Sequence, residues 1–299
     1  MTPPLSLSGT TAIAGVLGDP VHHSLSPVMQ NAALRQMGLN WVFLALPAPA
    51  EQLATVVQGL EAMGCRGLNV TIPHKHSVAA LTRELSPLAQ RLGAVNVLVP
   101  MAGGGWFGTN TDVEGFIAPL RSTTSPGQRA VVLGCGGSAR AVVAGLVELG
   151  FSSIALAGRR PEALEAFQHD CQAWAPQLQP LPWTDHGTTL AEAIASCDLL
   201  VNTTPVGMAS ASNPSAATAC PLDARELEAL QASTVVYDII YTPRPTKLLT
   251  QASHRGCSSI DGTEMLLQQG AAALRLWSGQ AEVPVDVMRE ALLMHLNGQ

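Results

Sequence analysis

Ser24 and Ser26 stand two apart in Gly-Asp-Pro-Val-His-His-Ser-Leu-Ser-Pro, residues 18–27, directly before a proline that opens an apolar, helix-like run. N–H groups in a helix's first turn lack partners and carry partial positive charge, so two hydroxyls beside them suit a small carboxylate. A second chemical signal lies at Gly134-Cys135-Gly136-Gly137-Ser138-Ala139-Arg140, between the apolar run Ala130–Leu133 and a run of helical spacing. That is the context of a dinucleotide fingerprint. Gly134 permits the tight turn, Gly136 lets a pyrophosphate approach the backbone, and Ala139 keeps the helix close to the sheet. Where an acidic residue would bind a ribose 2′-hydroxyl, this chain has Gly158-Arg159-Arg160. Guanidiniums bond phosphate and stack on adenine, so the cofactor reads as NADP rather than NAD.

Three further segments stand between these signals: Asn69-Val70-Thr71-Ile72-Pro73-His74-Lys75, Gly93-Ala94-Val95-Asn96 and Gly108-Thr109-Asn110-Thr111-Asp112. Taken singly, each has a structural reading. Ser24, Ser26 and Asp112 suit helix caps, and Thr71-Ile72-Pro73 suits the end of a strand. In this order, from Gly15 to about Trp277, the motifs resemble those of the shikimate dehydrogenases, NADP-dependent reductases of 3-dehydroshikimate.

The resemblance implies roles for particular residues. Ser24, Ser26 and Tyr241, the second tyrosine of Tyr237-Asp-Ile-Ile-Tyr241, would hold the substrate carboxylate. Thr71, Lys75, Asn96, Asp112 and Gln269 would address the ring hydroxyls, Gln269 through the pattern Asp-Gly-x-x-Met-Leu-x-x-Gln at 261–269. Lys75 and Asp112 are the expected catalytic pair. Ketone reduction builds negative charge on oxygen, which a nearby cation or proton donor stabilises, and a carboxylate beside the lysine favours its charged form. Gly134, Gly136, Gly137, Ser138, Ala139, Arg159, Arg160, Thr203, Met208 and Gly262 are the expected cofactor contacts. The chain departs from the family pattern at Gly158, Arg160 and Gln30.

The elements that must position these residues can be read from periodicity. Thr11–Leu17, Trp41–Leu46 and Arg66–Val70 read as strands separated by helices, which favours a mainly parallel sheet. Val95–Val99 and Trp106–Gly108 flank a glycine-rich turn and are expected to form a hairpin at one sheet edge. A polar, turn-rich stretch at 121–129 precedes the strand Ala130–Leu133, and 138–149 reads as a helix ended by Gly150. Further strands are expected at 154–157, 198–202 and 234–240, with a surface loop at 209–219. After Gly262 the pattern is helical, with Met265, Leu266, Ala272, Leu276 and Trp277 as expected core. The fold class is therefore α/β with two domains. The resemblance implies that the C-terminal helical part packs back on the first domain, so residues 1–112 plus 262–299 are expected to form a discontinuous, mainly parallel substrate-binding domain and 113–261 a doubly wound Rossmann-type NADP-binding domain.

Composition bounds the rest. A chain of 299 residues, 47% hydrophobic and 13% charged, can bury a sizeable core. A net charge of −6 without a basic run argues against nucleic acid. A small-molecule partner is expected instead, with the protein a monomer or homodimer, and since no apolar stretch is long enough to span a bilayer a cytoplasmic location is expected. The six cysteines form no C-x-x-C pair, and the histidines at 22, 23, 74 and 76 lack ligand spacing, so no metal is expected. Two other functions compete: a quinate/shikimate dehydrogenase using NAD, and a non-catalytic sensor of shikimate and NADP.

Overall fold

A computed structural model describes residues 7–121, 128–184, 189–209 and 213–298. The chain forms two compact units, Met1–Gly115 with Leu267–Gln299, and Phe116–Leu266.

In the first unit β1 (Ala12–Gly18), α1 (Ser26–Gln36), β2 (Trp41–Pro47), α2 (Leu53–Ala62) and β3 (Leu68–Val70) follow the strand–helix alternation of the sequence. Then come β4 (Glu84–Leu85), α3 (Pro87–Leu92), β5 (Val97–Pro100), β6 (Trp106–Thr109) and the start of α4 (Asp112–Arg121). The sheet order is β2-β1-β3-β5-β6-β4. β1 runs parallel to β2 and β3, whereas β5 is antiparallel to both β3 and β6. The expected hairpin of β5 and β6 forms, but not at the edge. The two-residue β4 pairs parallel with β6 and takes the outer position. A strand that short carries no alternation from which sequence could reveal it. Leu17, Leu53, Val57, Leu68, Leu98 and Trp106 share the core beneath this sheet.

The second unit contains β7 (Arg129–Leu133), α5 (Gly137–Glu148), β8 (Ser153–Gly158), α6 (Pro161–Cys171), β9 (Leu178–Pro182) and α7 (Thr189–Ala195). It continues with β10 (Leu199–Asn202), α8 (Ala224–Ala229), β11 (Val235–Asp238), α9 (Lys247–His254), β12 (Ser258–Ile260) and the start of α10 (Gly262–Ser278). All six strands are parallel, in the order β12-β11-β10-β7-β8-β9. The chain enters at the centre, builds outward through β8 and β9, then reverses to β10 on the other flank of β7. In such sheets ligands bind outside the carboxyl ends of the strands where the order reverses, here at β7 and β10.

The remainder of α10 and α11 (Val285–Asn297) belong to the first unit, where α11 packs along α1 and the Gln30 amide donates to the Gly270 carbonyl at 2.9 Å. Met265, Ala272 and Trp277 are buried as expected and Leu266 is half-buried. Leu276 departs from expectation. It is 44% exposed, because it borders an open hollow of about 430 Å³ walled also by Thr109, Asn110, Glu114 and Arg275. Helical spacing placed it on a core-facing stripe, but the neighbouring elements do not close over that end of the helix. Within the expected 209–219 loop, Pro214–Thr218 forms a short 3-10 turn, and 210–212 lie outside the described residues, as do 122–127 of the polar stretch.

Candidate active site

Lys75 lies on a tight turn after β3 that is fastened on both sides. The Val95 N–H donates to the Lys75 carbonyl at 2.7 Å. His74 Nε2 lies 2.6 Å from the Ala48 carbonyl, and His76 Nδ1 lies 2.6 Å from that of Gly93. The histidines therefore anchor backbone and are not part of a ligand cluster. Lys75 Nζ donates to Asp112 Oδ2 at 2.6 Å, with side chains only 17% and 9% exposed. Asp112 Oδ1 accepts from Asn96 Nδ2 at 2.8 Å.

Asn96 is the hub of this network. Its Oδ1 accepts from the Thr111 N–H at 2.7 Å, and its Nδ2 lies 3.5 Å from Gln269 Oε1. Thr111 Oγ1 donates to the Gln269 carbonyl at 3.0 Å, which ties α10 to the β6–α4 turn. Asn110 completes that turn, accepting from the Asp112 N–H at 2.9 Å and donating to the Ala94 carbonyl at 3.1 Å. Buried polar groups are costly unless paired, so the network holds each member in one orientation. An ammonium has three N–H donors and Asp112 uses one of them here, which leaves donor capacity for a substrate oxygen. The structure thus brings together four predicted residues, Lys75, Asp112, Asn96 and Gln269. Thr111 and Asn110 were missed, although both stand beside Asp112 in the quoted motif.

Ser24 and Ser26 do not cap α1 in the ordinary way. The residue preceding the helix is Leu25, which makes no side-chain cap, and the Ser26 N–H donates to Ser24 Oγ at 3.3 Å. Ser26 is buried and Ser24 half-buried. Thr71, half-buried, follows β3, its N–H donating to the Leu17 carbonyl at 2.8 Å. The two tyrosines of the second unit divide their roles. Tyr237 is fully buried and stacks on Phe116 with ring centroids 5.2 Å apart, so it is core. Tyr241 lies beyond β11 with a half-buried side chain, its phenol pushed above the usual range by burial.

At the carboxyl end of β7, Gly134 has φ +99°, a left-handed conformation that glycine adopts without strain. A Cβ there would meet Thr203 Oγ1 and Thr204 Cγ2 at 3.0 Å. Thr203 is fixed by its N–H and hydroxyl, which donate to the Leu133 carbonyl at 2.9 and 2.7 Å. Gly136 precedes α5 without a side-chain cap, and a Cβ there would have nothing within 4 Å. First-turn N–H groups at Gly137, Ser138 and Ala139 therefore open onto a cradle with no side chain in it, which fits a pyrophosphate. Ala139 is fully buried, as close helix–sheet packing requires. Met208 is 40% exposed and follows Gly207. Gly262 is needed for close packing: a Cβ would lie 2.0 Å from the Ile239 carbonyl oxygen.

The arginines near this cradle differ. Arg140 pairs with Asp170 at 2.6 Å over the Phe167 ring. Arg159 and Arg160, just past β8, are exposed, and the Arg159 guanidinium lies over the indole of Trp183. Trp183 carried no signal in the sequence. No group of three or more His, Cys, Asp or Glu among the described residues could hold a metal ion, and all six cysteines are free. No helix among them is long and apolar enough to cross a membrane.

A doubly wound parallel unit with a glycine turn and arginines after its second strand, in one chain with an α/β unit built around a lysine–aspartate pair, defines a dinucleotide-dependent oxidoreductase. The family follows from comparison. Residues 16–98 match the shikimate dehydrogenase substrate binding domain, and 262–293 the shikimate 5'-dehydrogenase C-terminal domain. The NADP-dependent shikimate dehydrogenase of a Nostoc species is 48% identical, over 97% of this chain and 99% of its own. The shikimate 5-dehydrogenase of Thermus thermophilus, solved with NADP(H) and shikimate, is 34% identical with a TM-score of 0.81, covering 95% of this chain and 99% of that one. The quinate dehydrogenase of Corynebacterium glutamicum, solved with NAD, is 29% identical with a TM-score of 0.84 over the same shares. The chain belongs to the shikimate dehydrogenase family.

Proposed function

We propose that this enzyme catalyses the reversible NADPH-dependent reduction of 3-dehydroshikimate to shikimate, on the route to chorismate and the aromatic amino acids. The observation that carries the reading is the buried network in which Asp112, fixed by Asn96, holds the Lys75 ammonium. NADPH, when bound, supplies the hydride. Lys75 donates a hydrogen bond to the substrate's carbonyl oxygen and stabilises the negative charge that grows there. Asp112 orients Lys75 and accepts from a ring hydroxyl. Thr71, Asn96 and Gln269 address the remaining hydroxyls, while Ser24, Ser26 and Tyr241 hold the carboxylate. Gly134, Gly136, Gly137, Ser138 and Ala139 hold the pyrophosphate, and Thr203, Met208 and Gly262 line the nicotinamide side.

Overall fold does not separate this reading from NAD-dependent quinate oxidation, because relatives of both kinds superpose equally well. The side chains past β8 bear on the cofactor. Arg159 and Arg160 stand where an acidic residue would repel a 2′-phosphate, and this favours NADP. The protein works in the cytoplasm as a monomer or homodimer, and its net charge of −6 gives no attraction to nucleic acid. Incubation with 3-dehydroshikimate and NADPH, followed by NMR of the products, tests the proposal. Stoichiometric shikimate is the expected result. Tight binding of both ligands with no product would indicate a sensor instead.

A further inference from the structure

The Arg159 side chain does not extend alone into solvent. β8 and β9 are parallel with Gly158 beside Pro182, so the next residue of each strand, Arg159 and Trp183, leaves the sheet next to the other. The Trp183 N–H donates to the Gly158 carbonyl at 2.9 Å, and Arg159 Cζ lies 4.7 Å from the centroid of the indole. The ring itself is fixed. It is buried in the core of the second unit, and its Nε1–H donates to Glu226 Oε1 at 3.0 Å. The other oxygen of Glu226 accepts from the Asp223 N–H at 2.8 Å, and the Glu226 N–H donates to Asp223 Oδ1 at 2.7 Å. One buried glutamate thus closes the N-terminus of α8 and pins the indole.

Resting on the NADP reading above, we propose that Trp183, pinned by Glu226, is a positioning residue for cofactor choice: it holds the Arg159 guanidinium in place for the phosphate on the adenine ribose. The geometry permits both contacts at once. Stacking uses the flat face of a guanidinium, whereas bidentate phosphate binding uses the N–H groups at its edge. A free arginine loses rotamer entropy when it grips a phosphate, and a stacked one has lost part of it beforehand. The indole also favours positive charge over its face.

Calorimetric titration of the full-length enzyme with NADP+, NAD+, 2′,5′-ADP and 5′-AMP tests the proposal. Trp183→Leu should weaken NADP+ and 2′,5′-ADP by about two- to five-fold, the range of an exposed cation–π contact, and leave NAD+ and 5′-AMP unchanged. Trp183→Phe, which keeps a ring, should restore the preference. In an Arg159→Ala background Trp183→Leu should have no further effect on NADP+. Equal weakening of all four ligands, or of none, would reduce Trp183 to a core residue and overturn the proposal. If Trp183→Leu does not fold, the wild-type indole N–H resonance of Trp183 serves: 2′,5′-ADP should shift it and 5′-AMP should not, and a missing 2′,5′-ADP shift overturns the idea. A wild type that binds 2′,5′-ADP no better than 5′-AMP would remove the NADP reading itself, and the proposal with it.

Discussion

The two candidate sites are built from opposite materials. Around Lys75 the first unit relies on side chains: Asp112, Asn96, Thr111 and Gln269 are tied to one another by hydrogen bonds of 2.6 to 3.5 Å and largely withdrawn from solvent. Around Gly134 the second unit relies on missing side chains, a positive-φ turn and uncapped helical N–H groups. Reaction chemistry needs particular groups at fixed angles, whereas a pyrophosphate needs only backbone donors and room. Substitutions should therefore act differently on the two sides, on turnover in the first and on cofactor affinity or stability in the second.

The sharpest test of that contrast is Lys75→Ala. Losing a positioned proton donor should lower kcat about 100- to 10,000-fold while shikimate affinity, measured by calorimetry, changes little. Near-normal turnover would remove Lys75 from the chemistry. Asp112→Asn should lower kcat by about tenfold or more, the worth of one charge-assisted hydrogen bond, with a smaller change in KM for shikimate. On the cofactor side, Arg159→Ala should raise KM for NADP about tenfold and leave that for NAD nearly unchanged. Equal effects on both cofactors would undo the phosphate assignment.

Gly134→Ala should act on stability instead. A side chain at φ +99° that also meets Thr203 and Thr204 should cost about 1–2 kcal/mol, read as a lowered Tm, with NADP affinity falling alongside. A further effect on stability is a pH dependence. Burial raises the Asp238 carboxyl from its ordinary 3.8 to about 6, partly offset by donors from Thr246, Ile240 and Asn202. As pH rises from about 4 to about 6 the unfolded chain loses this proton first, so stability falls across that window and levels off above it. Asp238→Asn should flatten the fall in Tm over that range, and an unchanged pH profile would mean the carboxyl titrates normally.

Much of this was legible in the sequence because the signals are local. The glycine turn, the strand before it and the helix after it occupy adjacent residues, and glycine has few other reasons to recur at that spacing. Lys75, Asn96 and Asp112 could be named from motifs, but their meeting at a common point depends on β3, β5 and β6 lying side by side. What could not be read depends on register between distant strands. Trp183 looks like any apolar residue until Gly158 is found beside Pro182, and β4 becomes a strand only through its pairing with β6. Leu276 obeys the helical period and still faces an open hollow, because burial is decided by the neighbouring elements and not by the helix.

The account rests most directly on the joint choice of substrate and cofactor. Reduced-nicotinamide absorbance should be followed with purified protein for shikimate and quinate, each with NADP+ and with NAD+. Rapid reduction of NADP+ with shikimate, and little in the other three pairings, is the predicted result. Faster turnover of quinate with NAD+ would contradict it.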